Sequence, residues 1–220
     1  MEETKHIVIL AAGDFPTHPV PQQALHEADF VVCCDSAYHE WKVESGKWKV
    51  VKPFVVIGDG DSLPEEDKRE LGGRWIQVDE QDYNDLHKAM AWAASQFTIL
   101  NSKFTILAAT GRREDHTLGN ISYLVTFAEE YPGIDVELLT DHGRFLYVSG
   151  KKTLQTFPRQ QVSLFTLSPL TPISASGLRW PLNNATFDRW WQGTLNEALG
   201  DTVTVESNAA IVFLTYEAKE

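Results

Sequence analysis

Up to about residue 142, short continuous apolar runs alternate with segments of helical periodicity, and this pattern restricts the fold more than any other feature of the chain. Apolar runs without polar alternation are typical of strands buried on both faces of a parallel sheet. Such runs predict strands at 7–11, 30–34, 54–57, 75–78, 104–109 and 136–139. Helices are predicted between them at 37–43, 64–71, 84–97 and 115–131. The alternation predicts a doubly wound, mostly parallel, Rossmann-like sheet with helices on its faces.

The pattern changes near Gly143, where the helical periodicity ends and short apolar segments are separated by Pro, Gly and Asn. Strands are predicted at 145–148, 153–157, 162–167, 178–180, 203–205 and 211–216. Short strands with frequent turn residues are typical of an antiparallel β-sandwich or a small barrel. The 220 residues are therefore predicted to form an α/β domain over 1–142 and a β-sandwich domain over 143–220.

Composition and charge exclude several classes of protein. Hydrophobic residues make up 43 % of the chain, enough for a packed core. The formal net charge of −12 argues against non-specific binding to nucleic acid or an anionic membrane. No apolar run approaches the ~20 residues of a membrane span, and the charged start of the chain lacks the layout of a signal peptide. Cys33 and Cys34 lie in a predicted strand and are expected to be buried free thiols, so we expect a cytoplasmic protein.

Aspartates stand where predicted strands end or predicted helices begin. Asp59 and Asp61 follow the strand at 54–57, Asp85 begins a helix, and Asp115 follows the strand at 104–109. Each has a simple structural interpretation as a turn or cap residue. Converging carboxylates, however, repel by roughly 4 kcal/mol at about 4 Å and an effective dielectric of ~20. Because hard Mg²⁺ takes oxygen ligands beside phosphates, the pattern predicts a metal-dependent enzyme acting on a phosphate-bearing substrate.

The turn from Thr110 to His116 is predicted to bind an anion. Gly111 lies between a strand and a helix, where free backbone N–H groups and the helix N-terminus favour negative charge. Arg112 or Arg113 could clamp a phosphate there. His116 is either a general base or a structural residue. Lys88, three residues after Asp85, is either a surface ion-pair partner or a phosphate ligand.

Taken together, six motifs resemble those of the thiamin pyrophosphokinase family, in the same order and over nearly the whole chain. They are Cys34-Asp35-Ser36-Ala37, Gly58-Asp59-Gly60-Asp61-Ser62, Asn84-Asp85-Leu86-His87-Lys88-Ala89, the segment from Ala109 to Leu118, Gly177-Leu178-Arg179-Trp180-Pro181-Leu182 and Thr194-Leu195-Asn196-Glu197. The resemblance implies an ATP-dependent diphosphotransferase that moves pyrophosphate from ATP to thiamin, giving thiamin diphosphate and AMP. It also implies a homodimer of α/β nucleotide-binding and β-sandwich domains, with thiamin bound at the subunit interface.

The same resemblance implies a set of site residues. Mg²⁺ would be held by Asp59, Asp61 and Asp85, with ATP as co-substrate. Asp115 and Arg112 would join these three in catalysis. The ATP-binding residues would be Asp35, Ser62, Lys88, Thr110, Gly111, Arg112, Arg113 and His116. Trp180 would stack on thiamin, with Thr194 and Asn196 lining its pocket.

The sequence departs from the family pattern at three places. Ser36-Ala37 replaces two glycines, Asn84 replaces a threonine that can equally cap a helix, and Leu195 replaces a common serine. Two other functions stay open. One is pyrophosphate transfer to another alcohol, such as a hydroxymethylpterin, and the other is non-catalytic sensing of a nucleotide or of thiamin. A pure sensor would gain little from so many converging carboxylates.

Overall fold

The chain folds into two compact units, Met1–Asp141 and His142–Glu220. They are seen in a computed structural model that describes residues 4–48 and 52–218. The first unit alternates strands and helices, whereas the second is almost entirely β. The predicted fold class, a parallel α/β sheet followed by antiparallel β structure, is confirmed.

The first unit is built on six parallel strands. In chain order they are β1 (Lys5–Leu10), β2 (Phe30–Cys34), β3 (Phe54–Gly58), β4 (Trp75–Gln77), β5 (Ser102–Leu107) and β6 (Asp135–Leu139). The helices between them are α1 (Pro19–Glu27), α2 (Tyr38–Ser45), α3 (Glu65–Leu71), α4 (Asp85–Gln96) and α5 (Glu114–Glu130). Cys33 and Cys34 are buried free thiols in β2, as predicted, and burial raises the pKa of both.

Strand order places a topological switch point in the middle of this sheet. The strands lie in the order β6-β5-β1-β2-β3-β4, so the chain moves outward from β1 to β4 and then returns to the other side of β1. Ile7 in β1 accordingly pairs with Phe30 on one side and Phe104 on the other. In open α/β sheets, ligands bind beyond the carboxyl ends of the strands at such a point.

The loops after β1 and β5 are locked together at the switch point. β5 ends at Leu107, two residues earlier than predicted, because Ala108 adopts a positive φ of 53° that a strand does not allow. The Gly13 N–H donates to the Ala108 carbonyl oxygen at 2.5 Å. A Cβ atom on Gly13 would lie only 2.3 Å from the Thr110 carbonyl oxygen, so this approach requires glycine.

Helix α1 has no counterpart among the predicted elements. Its Pro19 and Pro21 suggest a broken segment, but both lie in the first turn, where helix N–H groups have no intrahelical partner. The His18 side chain accepts a hydrogen bond from the Val20 N–H at 3.2 Å and caps the helix. Among the described residues, no helix is long and apolar enough to cross a membrane.

The second unit is organised around two long antiparallel strands. Its strands are β7 (Gly143–Gln155), β8 (Gln160–Phe165), β9 (Ile173–Ser176), β10 (Leu182–Ala185), β11 (Asn196–Glu197) and β12 (Thr202–Ala218). β12 pairs with β7 over most of its length and shifts register between Ser207 and Ala210. Its first half then pairs with β9 and its second half with β8. One bent strand therefore joins both halves of a core that includes Val148, Leu164 and Val205.

The predicted boundaries in this unit need correction. The two segments predicted at 145–148 and 153–157 are one strand, and so are those at 203–205 and 211–216. The predicted strand at 178–180 is wrong, because Leu178 makes only an isolated bridge to Ala198. Polar residues interrupt the apolar pattern within β7 and β12 where the strand faces are exposed. For this reason the sequence pattern divides each long strand into two short ones.

We expect Gly13→Ala to destabilise the first unit. The added Cβ would overlap backbone oxygens of Thr110 and Ala108, which cannot move without displacing the loop after β5. Overpacking of this kind costs about 2–3 kcal/mol in the free energy of unfolding, measurable by urea denaturation. The matched control is Gly119→Ala in α5, where a Cβ meets nothing within 4 Å. That variant should gain up to about 1 kcal/mol from helix propensity. Equal stability of the two variants would contradict the locked-loop account.

Candidate active site

A cavity of about 400 Å³ opens at the switch point of the first unit. Its floor is made by the residues that follow β1 and β5, and its walls by the first turns of α4 and α5. This volume falls within the range typical of small-molecule sites. Of the residues predicted to form the site, six line this cavity: Ser62, Asp85, Thr110, Arg112, Arg113 and His116.

A buried carboxylate, that of Asp35, organises the edge of the sheet beside this cavity. Asp35 follows β2 and is only 2 % exposed. It accepts hydrogen bonds from the N–H groups of Ser36 at 2.5 Å and Gly60 at 3.2 Å. A Cβ on Gly58 would lie 2.7 Å from the Asp35 Cγ. The loop that carries Asp59 is therefore built directly against this carboxylate.

Lys88 places a buried ammonium group between two carboxylates. Its Nζ lies 3.5 Å from Oδ1 of Asp85 and 4.0 Å from Oδ2 of Asp59, and its side chain is 3 % exposed. Lys88 therefore does pair with Asp85, as one of the two interpretations predicted, but its ammonium group is buried and not at the surface. Removing a charge pair from water is costly unless the charges are compensated, so Lys88 offsets part of the repulsion within the acidic cluster formed by Asp35, Asp59 and Asp85.

Asp85 carries the unrelieved repulsion of this cluster. Burial, together with the neighbouring charge and hydrogen bond of Asp35, raises the pKa of the Asp85 carboxyl to about 6, although Lys88 opposes the shift. The pKa of Asp59 is lowered instead, because its carboxylate accepts hydrogen bonds from the Asp61 N–H and the Gln81 side chain. Two adjacent carboxyls with opposite pKa shifts are typical of a functional site.

The acidic cluster fits a hard divalent cation in its chemistry. Among the described residues, no three His, Cys, Asp or Glu side chains already stand close enough to hold a metal ion. The acidic cluster offers carboxylate oxygens, the ligands that Mg²⁺ prefers. Burial and the neighbouring charge of Asp35 raise the pKa of Asp85 despite Lys88, so a further positive charge would stabilise the ionised form of this carboxyl.

The structure places two predicted acidic residues outside this cluster. The Asp61 carboxylate is exposed and makes no hydrogen bond or ion pair with any described residue, although its backbone N–H donates to Asp59. Asp115 is exposed and pairs with Arg113 at 2.5 Å, and this hydrogen bond lowers its pKa. Both side chains are free to turn without disturbing a packed core.

The remaining predicted residues of the α5 turn have acidic or backbone partners. Arg112 is held by an ion pair with Glu40 and lies 3.7 Å from Asp14. Gly111 has a φ of 101° and packs against the Asp14 carboxylate, where a Cβ would not fit. His116 lines the cavity but is exposed, and it donates its backbone N–H to Asp115.

In the second unit, Trp180 presents an exposed indole. Its side chain is 55 % exposed and stacks on the Arg179 guanidinium at 5.0 Å. The buried Asn196 side chain clamps the Trp180 backbone, accepting from its N–H at 3.2 Å and donating to its carbonyl oxygen at 2.7 Å. The Thr194 hydroxyl donates to the Trp191 carbonyl oxygen at 2.8 Å. Thr194 and Asn196 therefore shape the segments around Trp180 through backbone contacts.

Gly13 and Asn120 are among the cavity-lining residues that sequence reasoning missed. Gly13 follows the first apolar run directly, and a glycine at that position is itself a signal of close backbone approach. Asn120 shares the buried face of α5 with Leu124 and Phe127, at helical spacing. A lone amide on an apolar helix face requires a buried partner, so this position could have been identified from the sequence.

We expect Asp85→Asn to stabilise the protein in a pH-dependent way. The folded-state pKa of Asp85, about 6, exceeds the ordinary value of 3.8 for this carboxyl. The folded protein therefore binds an extra proton between these two pH values and loses stability as the pH rises through that window. The variant should therefore exceed wild type by about 1 kcal/mol above pH ~6, after allowance for solvent screening, and match it near pH ~4. Chemical denaturation at several pH values measures this difference. A stability difference between variant and wild type that does not change with pH would contradict this prediction. The control is Glu66→Gln, which removes an exposed carboxylate on α3.

Comparisons with known proteins cover both units. The family model described as thiamin pyrophosphokinase, catalytic domain, matches residues 21–137. The model described as thiamin pyrophosphokinase, substrate-binding domain, matches residues 143–213. The chain is 24 % identical over 197 residues to thiamin pyrophosphokinase 1 of Caenorhabditis elegans, covering 86 % of this chain and 79 % of that protein. It is 26 % identical over 148 residues to thiamine pyrophosphokinase of Bacillus subtilis (strain 168), covering 60 % and 63 %.

Solved structures show the same fold. The Bacillus subtilis thiamine pyrophosphokinase superposes with a TM-score of 0.75 at 20 % identity, over 96 % of this chain and 99 % of that one. The yeast thiamin pyrophosphokinase gives a TM-score of 0.79 at 16 % identity, over 98 % and 87 %. The two family models together span most of the sequence, in the order that the motifs predicted. The chain belongs to the thiamin pyrophosphokinase family.

Proposed function

We propose that this chain transfers pyrophosphate from ATP to the hydroxyl group of thiamin, giving thiamin diphosphate and AMP. The observation that carries the proposal is the acidic cluster with its buried Lys88, beside a cavity at the sheet's switch point. The domain at 1–142 binds the nucleotide and the metal ion. The β domain at 143–220, which matches a substrate-binding model, binds thiamin.

The polyphosphate of ATP occupies the cavity in this proposal. Thr110 precedes α5 and His116 lies in its first turn, where backbone N–H groups and the helix dipole favour an anion. Arg113 now pairs with Asp115, and Arg112 with Glu40 and Asp14. Both arginines are more than half exposed, so a phosphate oxygen can replace a carboxylate as the partner without unfolding the loop.

Asp59, Asp61 and Asp85 are the proposed Mg²⁺ ligands. Asp59 and Asp85 already face the same ammonium group, and Asp61 extends from the loop whose backbone is fixed on Asp59. Mg²⁺, when bound, neutralises negative charge on the polyphosphate oxygens. Lys88 keeps Asp59 and Asp85 near each other before the substrate arrives, and the exposed Asp61 side chain would turn toward them to complete the ligand set.

The chemistry is an in-line displacement at the β-phosphorus. The thiamin hydroxyl oxygen forms the new bond to phosphorus, the bond from the β-phosphorus to the oxygen bridging the α-phosphorus breaks, and AMP leaves with that oxygen. The hydroxyl proton passes to a carboxylate of the acidic cluster or to solvent. Arg112 and Arg113 stabilise the charge that develops on the phosphate oxygens. Positioning carries most of the rate enhancement in such transfers.

Thiamin recognition is proposed to depend on Trp180. The thiazolium ring of thiamin is a cationic aromatic group, and an exposed indole face attracts such a ligand. Exposed apolar side chains of the second unit accompany Trp180: Trp190, Trp191, Leu195 and Leu199. We assign them to a homodimer interface that forms the thiamin site, with Thr194 and Asn196 shaping it.

We expect Asp61→Asn to abolish most turnover without affecting folding. The Asp61 carboxylate has no partner among the described residues, so its loss removes no structural contact. The kcat for AMP formation from ATP, Mg²⁺ and thiamin should fall at least about 100-fold, equivalent to roughly 2.7 kcal/mol. The control is Asp79→Asn, another exposed carboxylate of the first unit. Wild-type turnover by Asp61→Asn would refute the metal assignment. Formation of ADP by the wild type would indicate single phosphoryl transfer, and no product would favour a sensor.

We expect Trp180→Ala to weaken thiamin binding selectively. Removing the indole face deletes the stacking surface but leaves the nucleotide cavity intact, because that cavity is lined only by residues of the first unit. The KM for thiamin should rise at least about tenfold, with the KM for ATP changed less than about twofold, consistent with a cation–π contribution of roughly 1–2 kcal/mol. The control is Leu170→Ala, which removes an exposed apolar side chain of the second unit that is not assigned to the proposed interface. Equal effects on both substrates would remove Trp180 from the thiamin site.

A further inference from the structure

A line of side-chain amides connects the loop after β5 to the start of α4. Nδ2 of Asn120 donates to the Ala109 carbonyl oxygen at 2.8 Å. Oδ1 of Asn120 accepts from Nδ2 of Asn84 at 3.1 Å. Oδ1 of Asn84 in turn accepts from the His87 N–H at 3.1 Å and caps α4. This amide relay crosses from one wall of the cavity to the other.

The relay has only one consistent orientation. The Ala109 carbonyl can only accept, so it fixes which end of the Asn120 amide donates and which end faces Asn84. Asn84 must then present its NH₂ group to Asn120 and its oxygen to the helix N–H groups. Rotating either amide by half a turn would place two donors or two acceptors face to face. Each bond therefore depends on the next one in the line.

Capping alone does not explain this arrangement. The cap of α4 needs only an acceptor at Asn84, which serine or threonine supplies equally well. The additional NH₂ group of Asn84 is engaged by Asn120, a residue that is 8 % exposed on the apolar face of α5. A buried amide is stabilising only where its partners are present. The relay therefore adds a positional restraint to the N-terminal end of α4.

The residues held by this restraint are those of the acidic cluster. Asp85 follows Asn84 directly, and the Lys88 N–H donates to the Asn84 carbonyl oxygen at 3.1 Å. A second link, between His87 Nε2 and Glu130 Oε2 at 2.9 Å, holds α4 to α5 near the far end of α5. The first turn of α4 can therefore shift or rotate only if the Asn84–Asn120 bond breaks.

We propose that Asn120 is a positioning residue that acts through Asn84 to fix the Asp85 carboxylate and the Lys88 ammonium against the cavity. This proposal rests on the proposed pyrophosphate transfer, in which both groups work on the polyphosphate. It concerns the placement of these groups and assigns neither asparagine a contact with the substrate. A displacement of about 1 Å at such a site reduces turnover by up to about 100-fold.

The test is a double-mutant cycle with Asn84→Ser and Asn120→Ala, following kcat and KM for AMP formation. Asn84→Ser keeps a capping oxygen on an exposed position, so it folds even if Asn120→Ala does not. We expect each single variant to lower kcat about tenfold, and the double variant also about tenfold, because both substitutions break one relay. The KM for thiamin should change less than about twofold. The control is Ser122→Ala in α5, whose hydroxyl bonds to Gly119 of the same helix and to no other residue in the described part of the chain.

Amide hydrogen exchange provides a measurement that does not depend on activity. The His87 N–H should exchange at least about fivefold faster in both single variants than in wild type or in Ser122→Ala. A kcat within twofold of wild type for Asn84→Ser, or a roughly 100-fold loss in the double variant, would overturn the proposal. If the wild type forms no AMP, the proposed function fails. The positioning role of Asn120 is then tested by hydrogen exchange alone, and an unchanged exchange rate of the His87 N–H in the variants would overturn it.

Discussion

The contacts that Asp85 makes with Asp35 and with Lys88 are the interactions on which the rest of the candidate site depends. Asp35 fixes the glycine loop that carries Asp59, and its charge acts on Asp85 across the sheet edge. The ammonium of Lys88 lets these carboxylates approach without complete protonation. Without it, burial and like charge would drive Asp85 to its neutral form, which is a poor ligand for a cation.

The α/β topology makes this contact possible. β1 lies between β2 and β5, so residues that are distant in sequence meet at one edge of the sheet. The close approach of Gly13 to Ala108 and Thr110 joins two of these loops, and the Asn84–Asn120 bond joins α4 to α5. The cavity is thus enclosed by loops that hold one another in place, a requirement for positioning polyphosphate with little reorganisation.

Sequence patterns predicted the elements whose signal is local. Continuous apolar runs located all six parallel strands, and helical periodicity located four of the five helices in the described part of the first unit. Helix α1 was missed because prolines in its first turn resemble breakers, and β7 and β12 were divided because exposed polar residues interrupt them. Lys88 illustrates the limit for the site: its burial depends on carboxylates from two other elements, which helical spacing alone does not reveal.

A crystal structure with Mg²⁺ and α,β-methylene-ATP, which cannot be cleaved between the α- and β-phosphorus atoms, tests the central claim most directly. The account predicts a metal ion bound by Asp59, Asp61 and Asp85, with the triphosphate in the cavity beside Thr110 and Arg113. Metal and nucleotide bound elsewhere, with Lys88 still enclosed by unliganded carboxylates, would contradict it.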